Sequence, residues 1–248
     1  MKQIAIGLTV SRETIAPRPS EIAKSTRARV AKWLARDSAQ PRQISPEPLL
    51  SRIETFAATL ALWGSRTNLT AHPDDPDQLA FHIIDSLAPI AISARSDSPL
   101  RDSFAPGRIA LDVGSGAGFP GLVLAAASDA HFVLAESRRK RANFLRVASA
   151  EMNLANVEID SGHASASRLD GQFDLVLARA IGNPPSFYRL ARSALRANGL
   201  AILFVAPSQR IALTSARDCG LLQPIRIAYD VPRGSQIVNR VLAIFRRS

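Results

Sequence analysis

The feature that most constrains this chain is an apolar segment that runs directly into a glycine-rich loop. Residues 109–113 read Ile-Ala-Leu-Asp-Val, and four glycines follow at positions 114, 116, 118 and 121. A short apolar run that ends at a cluster of glycines predicts a buried strand followed by a turn. Residues 122–127 then predict a helix. Pro120 suits its first turn, because proline has no amide hydrogen that would need a partner there.

The loop alone leaves two interpretations open. Its glycines allow a sharp turn and leave no side chain between the backbone and a ligand. Residues 116–121 also match G-x-G-x-x-G, which by itself is a weak indication of a nucleotide site. A plain strand-to-helix turn would have the same composition, so the residues after the loop decide what it holds.

An α/β domain is predicted for residues 108–248, because strand-like and helix-like segments alternate along them. Further strands are expected at 131–135, 157–160, 173–178 and 200–205, with helices between them. The helix at 184–197 is expected to end at Asn198-Gly199. Two final strands, at about 222–230 and 237–245, flank a turn at 232–234. This order predicts an open, mostly parallel sheet with helices on both faces and a closing antiparallel strand pair.

Residues 1–44 are predicted to form a basic, flexible arm. Residues 1–45 contain nine Lys or Arg residues and three acidic ones, and a helix is expected only at about 20–36. An RNA-contacting arm and a disordered leader are equally open for this stretch. A processed transit peptide is a third, weaker interpretation, because the stretch is rich in arginine.

Residues 45–107 are predicted to be a small helical segment with a linker. Apolar residues at three-and-four spacing predict helices at 45–64 and 77–93, and residues 94–107 are expected to be a polar linker. His82 and Asp85 lie one turn apart on one face of the second helix. They could serve a site, but a local hydrogen bond between them is the favoured interpretation.

Charge and cysteine content narrow the range of partners. The 248 residues carry a net charge of +10, and the pI is near 11.0. This balance favours nucleic acid as a partner, with a solvated basic surface as the alternative. The single cysteine, Cys219, indicates a reducing compartment, and we expect a cytoplasmic monomer. No apolar run approaches the ~20 residues of a membrane span, and no Cys/His cluster predicts a metal site.

Several polar features of the α/β domain are expected to meet at one edge of the sheet. Ligands of open parallel sheets bind at the carboxyl ends of the strands, where the glycine loop, Glu136, the turn at 162–165 and Arg179 all fall. Glu136 could accept hydrogen bonds from both hydroxyls of a ribose. Because a ribose would be bound there, the ligand is expected to contain adenosine. The alternative for Glu136 is a surface acid paired with the arginines that follow it.

Two such cofactors fit the loop, namely a nicotinamide dinucleotide and S-adenosylmethionine. A dinucleotide enzyme would need a second half-site and a proton-transfer group, but only His163 lies near the expected crevice and nothing pairs with it. A single half-site, an aspartate two residues before the first glycine and a closing strand pair fit a class I methyltransferase, a Rossmann-like fold, better. A nicotinamide-dependent oxidoreductase and a non-catalytic RNA-binding or assembly factor remain alternatives.

Four groups of residues also have the order and spacing of a known family, from about residue 50 to 205. They are Asp112–Gly121, Glu136-Ser137 with Lys140-Arg141, Phe173-Asp174 with Arg179-Ala180, and Asn68-Leu69-Thr70 followed by His82–Ser86. Together they resemble the signature of the RsmG (GidB) small-subunit ribosomal RNA methyltransferases.

The resemblance implies transfer of a methyl group from S-adenosylmethionine to guanine N7, with 16S ribosomal RNA or the small ribosomal subunit as the partner. The chain departs from the family at Ser165, where Glu is usual, and at His163, where Arg is usual. The resemblance implies cofactor contacts at Gly114, Phe119, Glu136, Ala164, Ser165 and Arg179.

The implied chemistry requires no catalytic acid or base. Guanine N7 carries a lone pair and no proton, so alignment supplies most of the rate, and no catalytic residue is predicted. A 5-methylcytosine enzyme would need a thiolate nucleophile, but Cys219 is expected in a late helix, as a packing residue. Residues 183–187 read Asn-Pro-Pro-Ser-Phe and are similar to a motif of enzymes that methylate exocyclic amines. Because they begin four residues after Arg179, a proline-led helix start is favoured.

The surface next to the expected cofactor site is basic. A helix predicted from about residue 137 to 152 carries Arg138, Arg139, Arg141 and Arg146. With the amino-terminal arm, these arginines are the candidate contacts to RNA phosphates.

Overall fold

The computed structural model describes residues 17–36, 46–64, 67–162, 171–180, 184–209, 211 and 213–248. Their helices are α1 (Pro19–Arg36), α2 (Pro46–Gly64), α3 (Pro76–Ser93), α4 (Gly121–Ala126), α5 (Arg139–Glu151), α6 (Pro184–Ala194) and α7 (Leu213–Asp218). Their strands are β1 (Ile109–Val113), β2 (His131–Ala135), β3 (Val157–Asp160), β4 (Phe173–Arg179), β5 (Leu195–Val205), β6 (Ile225–Arg233) and β7 (Gln236–Arg246).

These strands form one sheet in the order β3-β2-β1-β4-β5-β7-β6. Strands β1 to β5 pair in parallel, and β7 is antiparallel to both β5 and β6. The predicted fold is therefore confirmed: a mostly parallel α/β sheet with a closing antiparallel pair, preceded by a helical segment. The chain runs outward in both directions from β1 and β4, and such a reversal leaves a crevice for ligands at the carboxyl ends of the strands.

Strand β1 lies at the centre of the sheet and determines where the glycine loop sits. Asp112 is level with Leu134 of β2 and with Leu177 of β4. The carboxyl ends of these three strands are therefore side by side. The glycine loop follows the first strand and Glu136 the second, while Arg179 is the last residue of the third.

The two faces of the sheet have separate cores, because alternate residues of each strand point to opposite sides. Ala110 belongs to the core under the amino-terminal helices, α4 and α5, whereas Leu111 belongs to the core under α6 and α7. The amino-terminal helices thus cover the face of the sheet on which α4 and α5 lie.

Helix α1 confirms the helix expected at about residues 20–36, and it is packed against the other helices rather than free. Ile22 and Val30 are buried in the first core, and Arg27 forms ion pairs with Glu47 and Glu54 of α2. The expected flexible arm therefore does not extend over this helix, because its apolar side meets α2 and α3. Residues 1–16 and 37–45 lie outside the described residues.

Two local expectations were wrong. Asn198-Gly199 was expected to end the helix at 184–197, but α6 ends at Ala194 and these residues form a bulge in β5. The pairing of β4 jumps from Leu195 to Leu200, which leaves the residues between them outside the ladder. The expectation of a polar linker at 94–107 was also wrong in part, because two apolar residues of this segment, Leu100 and Phe104, are buried in the first core.

Candidate active site

The glycine loop is held by its own backbone and by the end of β2. The amides of Gly114 and Ser115 donate to the carbonyl oxygen of Ala135 at 2.8 and 3.2 Å. Oδ2 of Asp112 accepts a hydrogen bond from the amide of Gly121 at 3.0 Å, which fixes the start of α4 against the end of β1. The loop is therefore anchored over the carboxyl ends of the two strands.

The glycines of the loop serve two different purposes. A Cβ at Gly121 would lie 2.3 Å from Leu134 Cδ2, and Gly118 is similarly tight against α4, so these two permit close packing. A Cβ at Gly114 would meet nothing within 4 Å, and one at Gly116 would have its nearest neighbour at 3.7 Å. Gly114 and Gly116 have φ values of +73° and +57°, which favour glycine. Their backbone faces open space, and a ligand can approach it closely.

Glu136 is attached to this open part of the loop. Its side chain is buried, with 5% of the residue exposed. Oε2 accepts from the amide of Gly116 at 3.0 Å, and Oε1 accepts from the amide of Arg138 at 2.8 Å. A surface acid paired with arginine side chains is therefore the wrong interpretation. Each oxygen of an ionised carboxylate has a second lone pair, so Glu136 can still accept hydrogen bonds from ligand hydroxyls.

Two titratable groups adjoin the loop, the buried Asp112 and the half-buried His82, and both are shifted towards their neutral forms. Burial raises the pKa of Asp112 to about 6. Burial, together with the positive charge of Arg179, lowers the pKa of His82 to about 4. The imidazole of His82 is therefore neutral at pH 7. Among the described residues its Nδ1 is buried without a hydrogen-bond partner.

A cluster of four charged and polar side chains lies on the other side of the loop, and we call it the Asp85 cluster. Asp85 of α3 is 1% exposed. Its Oδ1 accepts from Tyr229 Oη at 2.7 Å and from Arg240 Nε at 3.2 Å. Its Oδ2 accepts from Arg179 Nη1 at 3.3 Å and from Arg240 Nη2 at 3.4 Å. The favoured local hydrogen bond between His82 and Asp85 is replaced by these contacts with β4, β6 and β7.

Arg179 and Phe119 connect this cluster to the glycine loop. The guanidinium carbon of Arg179 lies 4.9 Å from the centre of the Phe119 ring. The ring of Phe119 is 6% exposed and also packs against Phe56 and His82, at centroid distances of 5.2 and 5.4 Å. Any contact of Phe119 with a cofactor would therefore be made mainly through its backbone or ring edge.

The structure brings together Gly114, Phe119, Glu136 and Arg179 of the predicted site residues. Ala164 and Ser165, together with His163, lie outside the described residues, and their roles stay predictions. Cys219 follows α7 and packs partly against the second core, as expected for a packing residue. Helix α6 begins at Pro184, which supports the proline-led helix start, whereas Asn183 lies outside the described residues.

Sequence reasoning missed Tyr229 and Arg240. They occupy paired positions on β6 and β7, and their side chains reach Asp85 across more than 140 residues of sequence. A tyrosine and an arginine opposite each other in a predicted hairpin were the only available signal, and neither indicates a partner on a distant helix.

The basic helix next to the site is α5. Arg138, Arg139 and Arg146 are exposed, and Arg141 Nη2 donates to the carbonyl oxygen of Asn68 at 3.1 Å. Arg141 therefore joins α5 to the loop before α3, while the others remain available at the surface. In the described part of the chain, no helix is long and apolar enough to cross a membrane.

A family sequence model and the similar proteins of known sequence all point to the same family. A sequence model of the GidB family, described as rRNA small subunit methyltransferase G, matches residues 49–223. A protein of Methylobacillus flagellatus named ribosomal RNA small subunit methyltransferase G is 30% identical over 191 residues, which cover 76% of this chain and 87% of that protein. A protein of the same name from Wolinella succinogenes is 35% identical over 159 residues, covering 64% and 75% of the two chains.

Solved structures show the same fold at low sequence identity. A candidate sarcosine dimethylglycine methyltransferase from Galdieria sulphuraria aligns with a TM-score of 0.53 at 11% identity. The alignment covers 79% of this chain and 98% of that one. At this identity the similarity concerns the fold alone.

Proposed function

The chain belongs to the rRNA small subunit methyltransferase G family, and from this premise we propose that it methylates N7 of a guanine in 16S ribosomal RNA. It is an S-adenosylmethionine-dependent methyltransferase. The finer assignments, namely the 16S molecule, the guanine and its N7 atom, are the proposal. We further propose that the chain acts in the cytoplasm, where ribosomal RNA is assembled, and as a monomer.

The observation that carries the proposal is the open backbone of Gly114 and Gly116 with Glu136 hydrogen-bonded to it at 3.0 Å. Glycine amides suit a polar ligand that approaches the backbone closely, because no side chain stands between the amide and the ligand. A buried carboxylate with free lone pairs suits the two hydroxyls of a ribose. These residues fit S-adenosylmethionine, so we assign Gly114, Gly116 and Glu136 to its binding, with Phe119 and Arg179 at the edge of the same pocket.

When bound, S-adenosylmethionine supplies an electrophilic methyl group on a sulfonium ion. The residues of this chain then have only to align the acceptor and keep water away, because N7 has no proton to remove. Neutral His82 and the pairing of Arg179 with Asp85 suit this reaction, since the acceptor ring gains a positive charge and a nearby cation without a counterion would oppose it. Alignment of this kind can supply several orders of magnitude in rate.

The RNA is proposed to bind along α5. Arg138 and Arg139 are exposed at its start, directly after Glu136, so phosphates bound there would lie next to the cofactor pocket. The overall charge of +10 supports an extended basic surface. The exposed lysines of α1, Lys24 and Lys32, are proposed as further contacts on the amino-terminal side.

Two measurements test this function. Calorimetry with S-adenosylmethionine, S-adenosylhomocysteine and NAD should show binding of the first two, and binding of NAD alone would contradict the proposal. Mass spectrometry of 16S RNA from cells with and without the gene should show one 7-methylguanosine that depends on the gene. Failure of the protein to bind any adenosine cofactor would instead favour a non-catalytic RNA-binding factor.

Glu136→Gln is a specific test of the cofactor site. The amide keeps one acceptor oxygen, but its NH₂ group would meet an amide donor of Gly116 or Arg138. We expect S-adenosylmethionine affinity to fall by about tenfold to a hundredfold, because hydrogen bonds to charged groups contribute ~1.5–3 kcal/mol. Glu158→Gln, at an exposed position of β3, is the matched control and should leave the affinity unchanged.

A further inference from the structure

We infer that Asp85 is a positioning residue: its carboxylate holds Arg179 at the acceptor side of the pocket, and Tyr229 and Arg240 hold the carboxylate in turn. The inference rests on the proposed methyl transfer to ribosomal RNA and adds residues from α3, β6 and β7 to that site. It assigns Arg179 to the alignment of the acceptor base rather than to cofactor affinity.

The geometry allows Asp85 to act only through another residue. Asp85 is 1% exposed, so it cannot contact RNA, whereas 14% of the Arg179 side chain is exposed. Within the described part of the chain, the hydrogen bonds of Arg179 use Nη1 alone, which donates to Asp85 and to the carbonyl oxygen of His82. The rest of the guanidinium can therefore face the pocket, while one edge is fixed.

Arg179 stands where an acceptor would have to approach. It ends β4, the neighbour of β1, and thus lies beside the glycine loop on the side away from Glu136. Its guanidinium is stacked over Phe119, which follows the loop. A long flexible side chain would sample many rotamers there, and three contacts, to Asp85, His82 and Phe119, restrict it to one.

The four side chains also form a buried charge network that is costly if incomplete. Asp85 is paired with two guanidiniums, those of Arg179 and Arg240, so removal of its charge would leave two buried cations without a counterion. Tyr229 donates to the same carboxylate, and burial raises its pKa, so it remains a proton donor throughout the physiological range. The hairpin β6–β7 thus contributes directly to the position of Arg179.

Asp85→Asn alone is a poor test, because the unpaired cations could unfold the protein. The double variant D85N/R240Q removes one negative and one positive charge, so the net charge of the cluster is kept, one cation rather than two lacks a counterion, and the two amides can bond to each other. We expect it to unfold below the wild-type temperature but above Asp85→Asn, because only Arg179 is left without a counterion. At temperatures where it is folded, it should bind S-adenosylmethionine with nearly wild-type affinity. Its kcat on small-subunit particles should nevertheless fall by about a hundredfold, because misplacement by ~1 Å can cost this much.

Tyr229→Phe is the conservative variant, since it removes one hydrogen bond and no charge. We expect a kcat loss of about tenfold, which corresponds to one buried hydrogen bond. Asp174→Asn is the matched control. Asp174 also pairs with two arginines, Arg108 and Arg196, but it lies at the opposite end of β4, so its variant should lose stability without losing kcat per folded molecule.

A second readout does not depend on activity. In the cofactor-free protein, the Nη1–H group of Arg179, which donates to Asp85, should give a resolved, slowly exchanging NMR signal, assigned by its loss in Arg179→Lys, and this signal should broaden or exchange quickly in D85N/R240Q. Wild-type kcat in D85N/R240Q would overturn the inference, as would a loss of cofactor affinity equal to the loss of kcat. If the wild-type protein does not methylate ribosomal RNA, the proposed function fails, while the NMR signal still decides whether Asp85 holds Arg179.

Discussion

Asp112 and His82 give the folded chain opposite responses to pH. The folded pKa of Asp112 is about 6, above its ordinary value of 3.8, so the folded state holds a proton that the unfolded chain releases. The free energy of unfolding therefore decreases as pH rises through this window. The folded pKa of His82 is about 4, below its ordinary 6.5, so the unfolded chain binds the proton more readily and stability decreases as pH falls from 6.5 to 4.

Single substitutions should separate these two effects. In Asp112→Asn, the amide oxygen can still accept from Gly121, and the unfolding free energy should rise more steeply with pH between about 4 and 6 than in the wild type. His82→Gln should show the reverse difference. Urea unfolding of the three proteins at pH 4.5, 5.5 and 7 measures the slopes. Parallel curves would show that neither group titrates differently in the folded state.

The two kinds of glycine in the loop predict two kinds of defect. Gly121→Ala would place a Cβ 2.3 Å from Leu134 and 2.5 Å from Asp112 Oδ2, so we expect a loss of stability of about 1–3 kcal/mol. Gly114→Ala has free space but keeps a φ of +73°, which costs a non-glycine residue about 1 kcal/mol. Its main expected defect is weaker S-adenosylmethionine binding. Thermal unfolding and calorimetry compare the two, and similar stability losses with unchanged binding would contradict this division.

At the level of single residues, the sequence predicts the proximity of Gly114 and Glu136 better than the contacts of Asp85. Gly114 follows β1 and Glu136 follows β2, and these two strands are parallel neighbours in the sheet. Their proximity therefore follows from the regular order of strands and helices. Asp85, Tyr229 and Arg240 meet only because the closing hairpin reaches back to α3. No local pattern encodes that contact, and therefore it could not be predicted.

Helix α1 lies before the part of the chain that matches the family, yet it is packed as a structural element. Val30 is fully buried, whereas Lys24 and Lys32 are exposed on the same helix. We expect Val30→Ala to lower the free energy of unfolding by about 2 kcal/mol, because it leaves a cavity between helices. Replacement of both lysines by alanine is the control and should change it little. Equal stability of all three proteins in urea would show that α1 does not support the fold.

The elements that were predicted poorly are those whose local signals compete with long-range pairing. Asn198-Gly199 resembles a helix end, but the residues form a bulge because the strand after it pairs with β4 and β7 at the same time. In the amino-terminal stretch the helix itself was predicted but its packing was not, because the composition is that of a flexible arm whereas Ile22 and Val30 pack against α2 and α3. In both places tertiary contacts override the local preference.

At the scale of the whole molecule, charge should determine how the protein finds its RNA. Each phosphate neutralised by a Lys or Arg releases counterions, so the logarithm of the binding constant falls linearly with the logarithm of salt concentration. Each contact contributes roughly 0.7–0.9 to that slope. With a net charge of +10 and exposed arginines at the start of α5, a steep slope is expected, and a flat salt profile would exclude phosphate contacts as the basis of binding.

The double substitution of Arg138 and Arg139 by alanine tests where those contacts lie. If both residues bind phosphates, the slope should decrease by about 1.5 and RNA affinity should fall, while S-adenosylmethionine binding stays nearly unchanged, because only the backbone amide of Arg138 supports Glu136. Arg217 and Arg226, exposed near β6 at the opposite edge of the sheet, provide a control with the same loss of charge. Filter binding at salt concentrations from about 50 to about 300 mM measures both slopes. An equal decrease in the two variants would mean that total charge, rather than the face beside the cofactor pocket, guides the RNA.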